Sequence, residues 1–272
     1  MKNLALTSCY NYEWNNIEVV VKSFRKQCPD DEMIVLFYNR PTDKTIERLK
    51  DHGVKPVLVI SNNPSRIVVE RFLAYSEILS RYEAKYAVCV DAADIFFQRN
   101  PFLWLQEKLG DDKKVVVGSE QLLYRNEAWG RGNLSESFPD DFEKIKDFEI
   151  GNAGSIGGEA SCLSKICRHV YDMSIFNKVF NPDQAALNVL LRSRAVEDFV
   201  FTTPVDGWSF QCGTSANDAR GKHPDYEYDK NLIGCPPKLT DNAVINEHGL
   251  PVCIVHQYHH NANINNFVRN SI

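Results

Sequence analysis

The first hundred residues alternate between strand-like and helix-like segments, and this alternation restricts the fold more than any other feature of the sequence. Short apolar runs rich in β-branched residues occur at 3–9, 32–39, 54–60 and 86–90. The first three are followed by segments with helical spacing of apolar residues, at 14–28, 41–53 and 62–82. Strands separated by helices in this way form βαβ units, which predicts a mainly parallel sheet.

The later part of the chain is less regular. Residues 119–148 are polar with scattered aromatic side chains, and we expect a loop or an insertion there. The segments "EASCLSKICRHVYDMS" and "NPDQAALNVLLRS" predict two further helices. Residues 203–252 are rich in Gly, Pro, Asn and Asp, and "VCIVHQY" at 252–258 predicts one last short strand. With 272 residues and no internal repeat, we expect one domain.

Composition excludes some classes of function. The net charge of -5 argues against a nucleic-acid-binding surface, which is usually basic. No window holds 18 consecutive apolar residues, and the first residues turn polar too early for a signal peptide. We therefore expect a cytoplasmic protein without a transmembrane segment. The eight cysteines form no CxxC pair, and we expect them to be reduced.

Two carboxylates follow the apolar run at 86–90. Asp91 and Asp94 stand where an open parallel sheet binds its ligands, beyond the carboxyl end of a strand. Two acids so close repel each other unless a cation or a basic group neutralises them. Magnesium or manganese suits such oxygen ligands. The alternative is that Asp94 is a turn or cap residue and that Asp91 pairs with an arginine.

Four motifs then occur in a recognisable order. They are "CVDAADIFFQRNPF", "NAGSIGG" at 152–158, "PDQAALN" at 182–188 and "VHQY" at 255–258. In this order they resemble the GT-A glycosyltransferases that use nucleotide-diphosphate sugars, in particular the glycogenin-like enzymes. The resemblance implies a single GT-A (Rossmann-like) domain over 1–272, with a mainly parallel central sheet flanked by helices. Residues 1–118 would then be the nucleotide-binding half and 119–272 the acceptor- and sugar-binding half.

The resemblance also implies a metal site. Mn²⁺ or Mg²⁺ would be held by Asp91, Asp94 and His256, with His256 binding through a neutral imidazole nitrogen. The usual Asp-x-Asp of the family is Asp-Ala-Ala-Asp here, so Asp94 is our first choice for the direct ligand, and Asp91 contacts the metal or the ribose. Two alternatives remain for His256: a structural zinc site with Cys253, His259 and His260, or a core or surface histidine.

For the donor nucleotide, the resemblance implies contacts at the end of the first strand and on the helix before the acidic turn. Thr7 and Ser8 would bond the base, and Tyr10 or Tyr12 would stack on it. Arg66 and Arg71 would bind the diphosphate, because guanidinium groups match phosphate oxygens. For Tyr10 the alternative is a core position, and for the arginines it is a solvated helix face.

For the sugar, the resemblance implies four residues. Asn152 and Gly154 would line the sugar pocket, although the glycine-rich segment also fits a turn. Asp183 and Gln184 stand at a predicted helix start, where capping alone accounts for an acid. The resemblance favours a retaining reaction, with Gln184 near the anomeric carbon and Asp183 on sugar hydroxyls.

The expected activity is metal-dependent hexosyl or pentosyl transfer from a nucleotide sugar, with UDP favoured, to a carbohydrate or another hydroxyl acceptor. Two alternatives remain open. One is a sugar nucleotidyltransferase, although the N-terminal segment lacks the glycine-rich loop that grips a triphosphate. The other is a non-catalytic protein that binds nucleotide sugars or carbohydrates on a transferase scaffold.

Overall fold

The computed structural model describes residues 2–61, 63–109, 114–193, 199–219 and 228–272. The strands are β1 (Leu4–Cys9), β2 (Glu32–Phe37), β3 (Lys55–Leu58), β4 (Tyr86–Val90), β5 (Ile95–Phe97), β6 (Val115–Leu123), β7 (Glu149–Glu159), β8 (Phe199–Thr202), β9 (Ser209–Gln211), β10 (Lys238–Leu239), β11 (Val244–Ile245) and β12 (Ile254–His256). The α-helices are α1 (Trp14–Gln27), α2 (Asp43–Asp51), α3 (Ile67–Arg81), α4 (Pro101–Lys108), α5 (Ala128–Ser137), α6 (Pro139–Ile145), α7 (Ala160–Ser174), α8 (Asp183–Arg192), α9 (Cys212–Ser215) and α10 (Ala262–Asn270).

The central sheet has seven strands in the order β3-β2-β1-β4-β7-β6-β8. The strands β3, β2, β1 and β4 are parallel to one another, as the βαβ spacing of the sequence predicts. β7 is antiparallel to both of its neighbours, β4 and β6, and β8 is parallel to β6. The prediction of a mainly parallel sheet flanked by helices is therefore confirmed.

Both faces of this sheet are covered, which is why its strands are apolar almost throughout. Side chains alternate along a strand, so Ala5 packs with α1 on one face while Leu4 and Leu6 pack with α3 and α7 on the other. Phe24 of α1 and Phe72 of α3 are fully buried in these two cores.

A smaller sheet brings the end of the chain back to the acidic turn. Its order is β5-β12-β9, with β12 antiparallel to β5 and parallel to β9. His256 is in register with Ile95 on one side and with Gln211 on the other. The last predicted strand thus lies directly beside the segment that carries Asp94.

Of the two expectations for 119–148, a loop or an insertion, the loop is wrong. This segment contains the end of β6 and the helices α5 and α6, which bury Leu134 and Ile145 in a small core with Tyr124. Glu127 caps α5, since its carboxylate accepts from the backbone N–H groups of Trp129 and Gly130. The apolar residues are too widely spaced to give a helical period, and they are buried only because other elements meet them.

The glycine-rich segment 151–158 is not a turn but the interior of β7. Its glycines are required by neighbours that come close to the strand. A Cβ at Gly157 would lie 2.7 Å from the ring of the fully buried Trp208. No helix in the described part of the chain combines the length and the apolar character needed to cross a bilayer.

Candidate active site

Three of the predicted residues meet at the carboxyl end of β4. Asp91 directly follows β4, Asp94 directly precedes β5, and His256 is the last residue of β12. Within the described ranges these three form the group of His, Cys, Asp and Glu side chains whose ligand atoms are close enough to hold one metal ion, all lying within 4.8 Å of one another. Two ligands that each lie about 2.1 Å from a divalent ion are at most about 4.2 Å apart, and His256 Nε2 lies within this limit of Asp91 Oδ2 at 3.2 Å and of Asp94 Oδ1 at 3.5 Å.

The orientation of the His256 ring is fixed by Gln211. The two Ser hydroxyls of Ser155 and Ser209 each lie 3.0 Å from Gln211 Nε2, so the amide oxygen of Gln211 faces the ring at 2.6 Å from Nδ1. An amide oxygen only accepts, so Nδ1 carries a hydrogen and Nε2 is the nitrogen available to a metal. His256 Nε2 is buried, makes no aligned hydrogen bond, and lies 3.2 Å from Asp91 Oδ2 and 3.5 Å from Asp94 Oδ1.

Charges in this group are strongly coupled. Burial lowers the pKa of His256, but the negative charges of Asp94 and Asp91 outweigh it and raise the pKa to about 10. Burial also raises the pKa of Asp91, yet the Arg71 guanidinium and His256 together hold it well below its usual range. Without a metal, a proton on His256 therefore takes the place of the cation that the two carboxylates require.

Gly154 of β7 makes room for the group. A Cβ at this position would lie 2.5 Å from Asp91 Oδ2 and 2.5 Å from His256 Cε1. The backbone secures the same arrangement, because the Asp91 N–H donates to the Gly154 carbonyl at 3.0 Å and the Gln257 N–H donates to the Asp94 carbonyl at 2.8 Å. The predicted sugar-pocket residue Gly154 thus lies against the candidate metal ligands.

Arg71 connects two of the predicted acids. Its Nη1 pairs with Asp91 Oδ1, and its Nη2 lies 3.1 Å from Asp183 Oδ2. The expected alternative of an arginine partner for Asp91 therefore holds, and it coexists with the metal-ligand geometry because Asp91 Oδ2 still faces His256. Burial raises the pKa of Asp183, and the nearby guanidinium only partly offsets this. Pro182, not Asp183, occupies the N-cap position of α8.

A first cavity of about 250 Å³ opens beside the acidic turn. Of the predicted nucleotide contacts, Ser8, Tyr10 and Arg71 line it, together with Tyr12 and the turn 91–94. The Ser8 hydroxyl is at the end of β1 in this lining, with the Tyr75 phenol as its neighbour. Thr7 is fully buried on β1 and does not line this cavity.

Arg66, which was predicted to bind the diphosphate, binds backbone carbonyl groups instead. Its guanidinium donates to the backbone carbonyls of Ser174 and Ile175, at the end of α7, and to that of Val179. These carbonyls lie at or just beyond a helix C-terminus, where a cation is stabilised. Arg66 is not among the residues that line the first cavity.

A second cavity of about 280 Å³ contains the predicted sugar residues Asn152 and Gln184. Its other lining residues are Glu120, Glu127, Trp129, Gly213, Thr214, Tyr228, Gln257 and His260. Glu120 is a site residue that the sequence motifs miss, although the apolar run "VVVG" shortly before it is similar to the run before Asp91. An acid that closely follows an apolar strand is the sequence feature that predicts such a residue.

Glu120 reaches the second cavity because β6 is irregular at this point. The register of β6 with β7 shifts on either side of Ser119, and Gln121 has a positive φ of 64°. A bulge of this kind re-aims side chains and is frequent beside active sites. Among the described non-glycine residues, the others with positive φ are Asn11, between Tyr10 and Tyr12, and Gln257 in the second cavity. All three strained positions border the two cavities.

The zinc alternative receives no support from the geometry. Cys253 is fully buried, with its Sγ 3.9 Å from the Asn100 carbonyl, and the group that includes His256 is completed by Asp91 and Asp94. His259 and His260 stack on each other with ring centroids 4.2 Å apart. His256 is buried, and its Nε2 faces two carboxylates that are themselves close enough to share a metal ion, which is unlike the setting of an ordinary core histidine.

Comparison with known proteins gives a likeness in structure and none in sequence. No protein-family model matches the chain, and no curated protein sequence matches it. Among solved structures, it is similar to the crystal structure of an active-site Gln-to-Glu mutant of LgtC, a glycosyltransferase, with a TM-score of 0.59 and 13% sequence identity. The match covers 98% of this chain and 95% of the LgtC chain. The protein therefore has the GT-A fold over nearly its whole length.

Proposed function

We propose that the protein is a metal-dependent glycosyltransferase that moves a sugar from a nucleoside-diphosphate donor, UDP being favoured, to a hydroxyl acceptor. The observation that carries this proposal is the group of Asp91, Asp94 and His256, in which His256 Nε2 faces two carboxylates at the edge of the first cavity. These residues would hold Mn²⁺ or Mg²⁺. The bound ion would act as a Lewis acid that stabilises the charge developing on the departing diphosphate.

The first cavity would bind the nucleotide. Ser8 offers a hydroxyl to the base, and Tyr10 or Tyr12 offers a ring for stacking. Arg71 would contact the diphosphate with the part of its guanidinium that Asp91 and Asp183 leave available. Its Nε makes no hydrogen bond to the described residues. We assign Thr7 and Arg66 to supporting positions, because one is enclosed in the sheet and the other binds backbone carbonyls.

The second cavity would hold the transferred sugar and the acceptor, with Asn152 and Gln184 on the sugar. Asp183 is held by Arg71 beside the candidate metal ligands, and it would orient the donor through that arginine or bind a sugar hydroxyl. The Asp183 carboxylate is engaged by Arg71 through Oδ2, so we assign it to orienting the donor rather than to proton abstraction, and this assignment favours the retaining reaction with Gln184 near the anomeric carbon.

Binding and chemistry are tested separately. A thermal-shift series with UDP-glucose, UDP-galactose and UDP alone, each with and without Mn²⁺, should raise the melting temperature only when metal and nucleotide are both present. Donor hydrolysis should then appear with Mn²⁺ and disappear in excess chelator. Metal-dependent binding without any hydrolysis or transfer would instead identify a non-catalytic nucleotide-sugar-binding protein.

The matched variants are Asp94→Asn and Asp241→Asn, which make the same change at the candidate metal site and at an exposed turn. Asp94→Asn should abolish metal-dependent activity while Asp241→Asn leaves it intact. Full activity of Asp94→Asn would remove Asp94 from the metal site. For the stereochemistry, proton NMR of the product should show the anomeric configuration of the donor, and inversion would overturn the retaining reaction.

A further inference from the structure

Glu120 is a buried carboxylate in the second cavity to which the proposed function assigns no role. It is 6% exposed, and it lines the second cavity. Its Oε1 accepts from Asn152 Nδ2 at 2.9 Å and from Gln184 Nε2 at 3.0 Å. The two amides that the proposed function puts on the sugar are therefore held by one carboxylate oxygen.

The amide oxygens of these two residues are also occupied. Asn152 Oδ1 accepts from the Gly154 N–H at 2.8 Å, and Gln184 Oε1 accepts from the Ala153 N–H at 3.3 Å. Both amide orientations are thereby fixed: each amide oxygen accepts from a backbone N–H of β7, and each amide nitrogen donates to Glu120. The hydrogen bonds that Glu120 accepts through its side chain both go to Oε1, so Oε2 is left to face the second cavity, which Glu120 lines.

The second cavity contains one other carboxylate, Glu127, among its lining residues. Both oxygens of Glu127 accept from backbone N–H groups at the start of α5, so its position follows from helix capping. Glu120 caps no helix and pairs with no arginine or lysine among the described residues. Burial, and to a smaller extent the negative charge of Glu127, raise the pKa of Glu120 to about 7, so the acid and the carboxylate exchange near neutral pH.

We propose that Glu120 accepts a hydrogen bond from a hydroxyl of the sugar bound in the second cavity and selects sugars that carry this hydroxyl. The proposal rests on the proposed function and names a specificity-determining residue for it. The carboxylate oxygen of Glu120 lies beside two amides that the proposed function places on the sugar, so a sugar hydroxyl is the donor best suited to it. The resulting hydrogen bond is charge-assisted and directional. A site built to bond one hydroxyl discriminates strongly against an analogue that lacks it.

The variant Glu120→Gln tests this contact without removing the network. Its amide oxygen still accepts from Asn152 and Gln184, while a nitrogen donor replaces Oε2 and faces the sugar. The kcat/KM for UDP-glucose or UDP-galactose, whichever the wild type uses, should fall roughly 10- to 150-fold, the loss expected for one charged hydrogen bond. The affinity for UDP with Mn²⁺ should not change. Glu136→Gln on the exposed face of α5 is the matched control.

Comparing the rates of donor hydrolysis and of sugar transfer shows whether the hydroxyl belongs to the transferred sugar or to the acceptor. A loss already present in donor hydrolysis assigns it to the transferred sugar, and a loss confined to transfer assigns it to the acceptor. Either result supports the contact. The acid limb of the kcat/KM profile near pH 7 should also be missing from Glu120→Gln. An unchanged kcat/KM, or an equal loss of UDP affinity, would overturn the role of Glu120.

Wild-type protein provides a second measurement that needs no variant. In a series of monodeoxy derivatives of the accepted UDP-sugar or acceptor, one position should lose roughly 10- to 150-fold in kcat/KM. Uniform tolerance of all positions would contradict the proposal. Failure of the proposed function is distinguishable from either outcome, because wild-type protein would then bind neither UDP nor any UDP-sugar in the presence of Mn²⁺.

Discussion

Gln211 Oε1 lies 2.6 Å from His256 Nδ1, and this contact leaves His256 Nε2 facing Asp91 and Asp94. The two residues are neighbours because β9 and β12 are parallel and in register at these positions. A histidine that binds a metal through one nitrogen commonly donates from the other to a fixed oxygen, which sets its tautomer and its orientation.

Replacing Gln211 should therefore weaken metal binding although Gln211 touches no metal. Gln211→Leu removes the acceptor, and we expect Mn²⁺ affinity to fall about 10- to 100-fold by isothermal titration calorimetry. Gln211→Glu keeps an acceptor at the same place and should retain most of the affinity. Equal affinities for the wild type and the leucine variant would show that the ring orientation does not depend on this contact.

Mn²⁺ binding should become tighter as the pH rises. The folded-state pKa of His256 is raised from its ordinary value of 6.5 to about 10, so the metal-free protein holds a proton on the ring at neutral pH. Metal binding must release this proton, which predicts about a tenfold gain in affinity per pH unit between pH 7 and 8.5. Calorimetry in buffers of different ionisation enthalpy measures the release. A value of zero protons would contradict the predicted charge state.

The same pKa shift fixes the direction of the stability change in the metal-free protein. Because the folded-state pKa is the higher one, the contribution of protonated His256 to the free energy of unfolding is complete below pH 6.5 and is lost as the pH rises towards 10. Added Mn²⁺ should remove this dependence, since the ion replaces the proton. Denaturant unfolding at several pH values, with and without metal, compares the two states.

Gly154→Ala tests the close approach of β7 to the metal ligands. The new methyl group would overlap Asp91 and His256, and we expect a loss of about 1–3 kcal/mol in the free energy of unfolding together with weaker Mn²⁺ binding. Gly132→Ala in α5 is the control, because a Cβ there meets no atom within 4 Å and alanine is the better helix former. Urea unfolding and metal titration of both variants provide the comparison.

Arg71→Lys tests the bridge between β4 and α8. A lysine ammonium does not reproduce the two-pronged contact with Asp91 and Asp183, and we expect a loss of about 1–3 kcal/mol in stability and weaker binding of UDP with Mn²⁺. Arg168→Lys changes an exposed pair with Asp172 and should leave the free energy of unfolding close to that of the wild type. Equal free energies of unfolding for the two variants would show that the bridge between Asp91 and Asp183 does not stabilise the fold.

The parts of the site that the sequence predicts are those that stand at the ends of periodic strands. Asp91 follows a run of buried residues, and the parallel arrangement of β1 and β4 places Ser8 and Asp91 at the same edge of the sheet. His256 was predicted from the resemblance, and the antiparallel pairing of β12 with β5 accounts for its position. The division into nucleotide-binding and acceptor halves, and a cytoplasmic location, stay predictions.

The remaining parts depend on contacts that no local pattern contains. Gln211 lies in a strand of three residues, too short for a period to be read, and Glu120 is turned into the second cavity by the irregularity of β6. Arg66 and Arg71 lie in one predicted helix, yet Arg66 precedes α3 and binds backbone carbonyls, whereas Arg71 on α3 binds carboxylates. The carbonyls that bind Arg66, and the Asp183 carboxylate that binds Arg71, come from segments more than a hundred positions later in the chain.

The small sheet β5-β12-β9 also determines when the metal site can form. More than half of the chain separates Asp94 from His256, so the third ligand arrives only after β12 has inserted between β5 and β9. Contacts between such distant segments form slowly, because a long loop has to close first. A folding intermediate with the large sheet in place would offer an ion only two carboxylates, one of them held by Arg71. In a refolding experiment followed with Mn²⁺, tight binding should thus be the signal of β12 insertion, and it should lag behind the recovery of secondary structure.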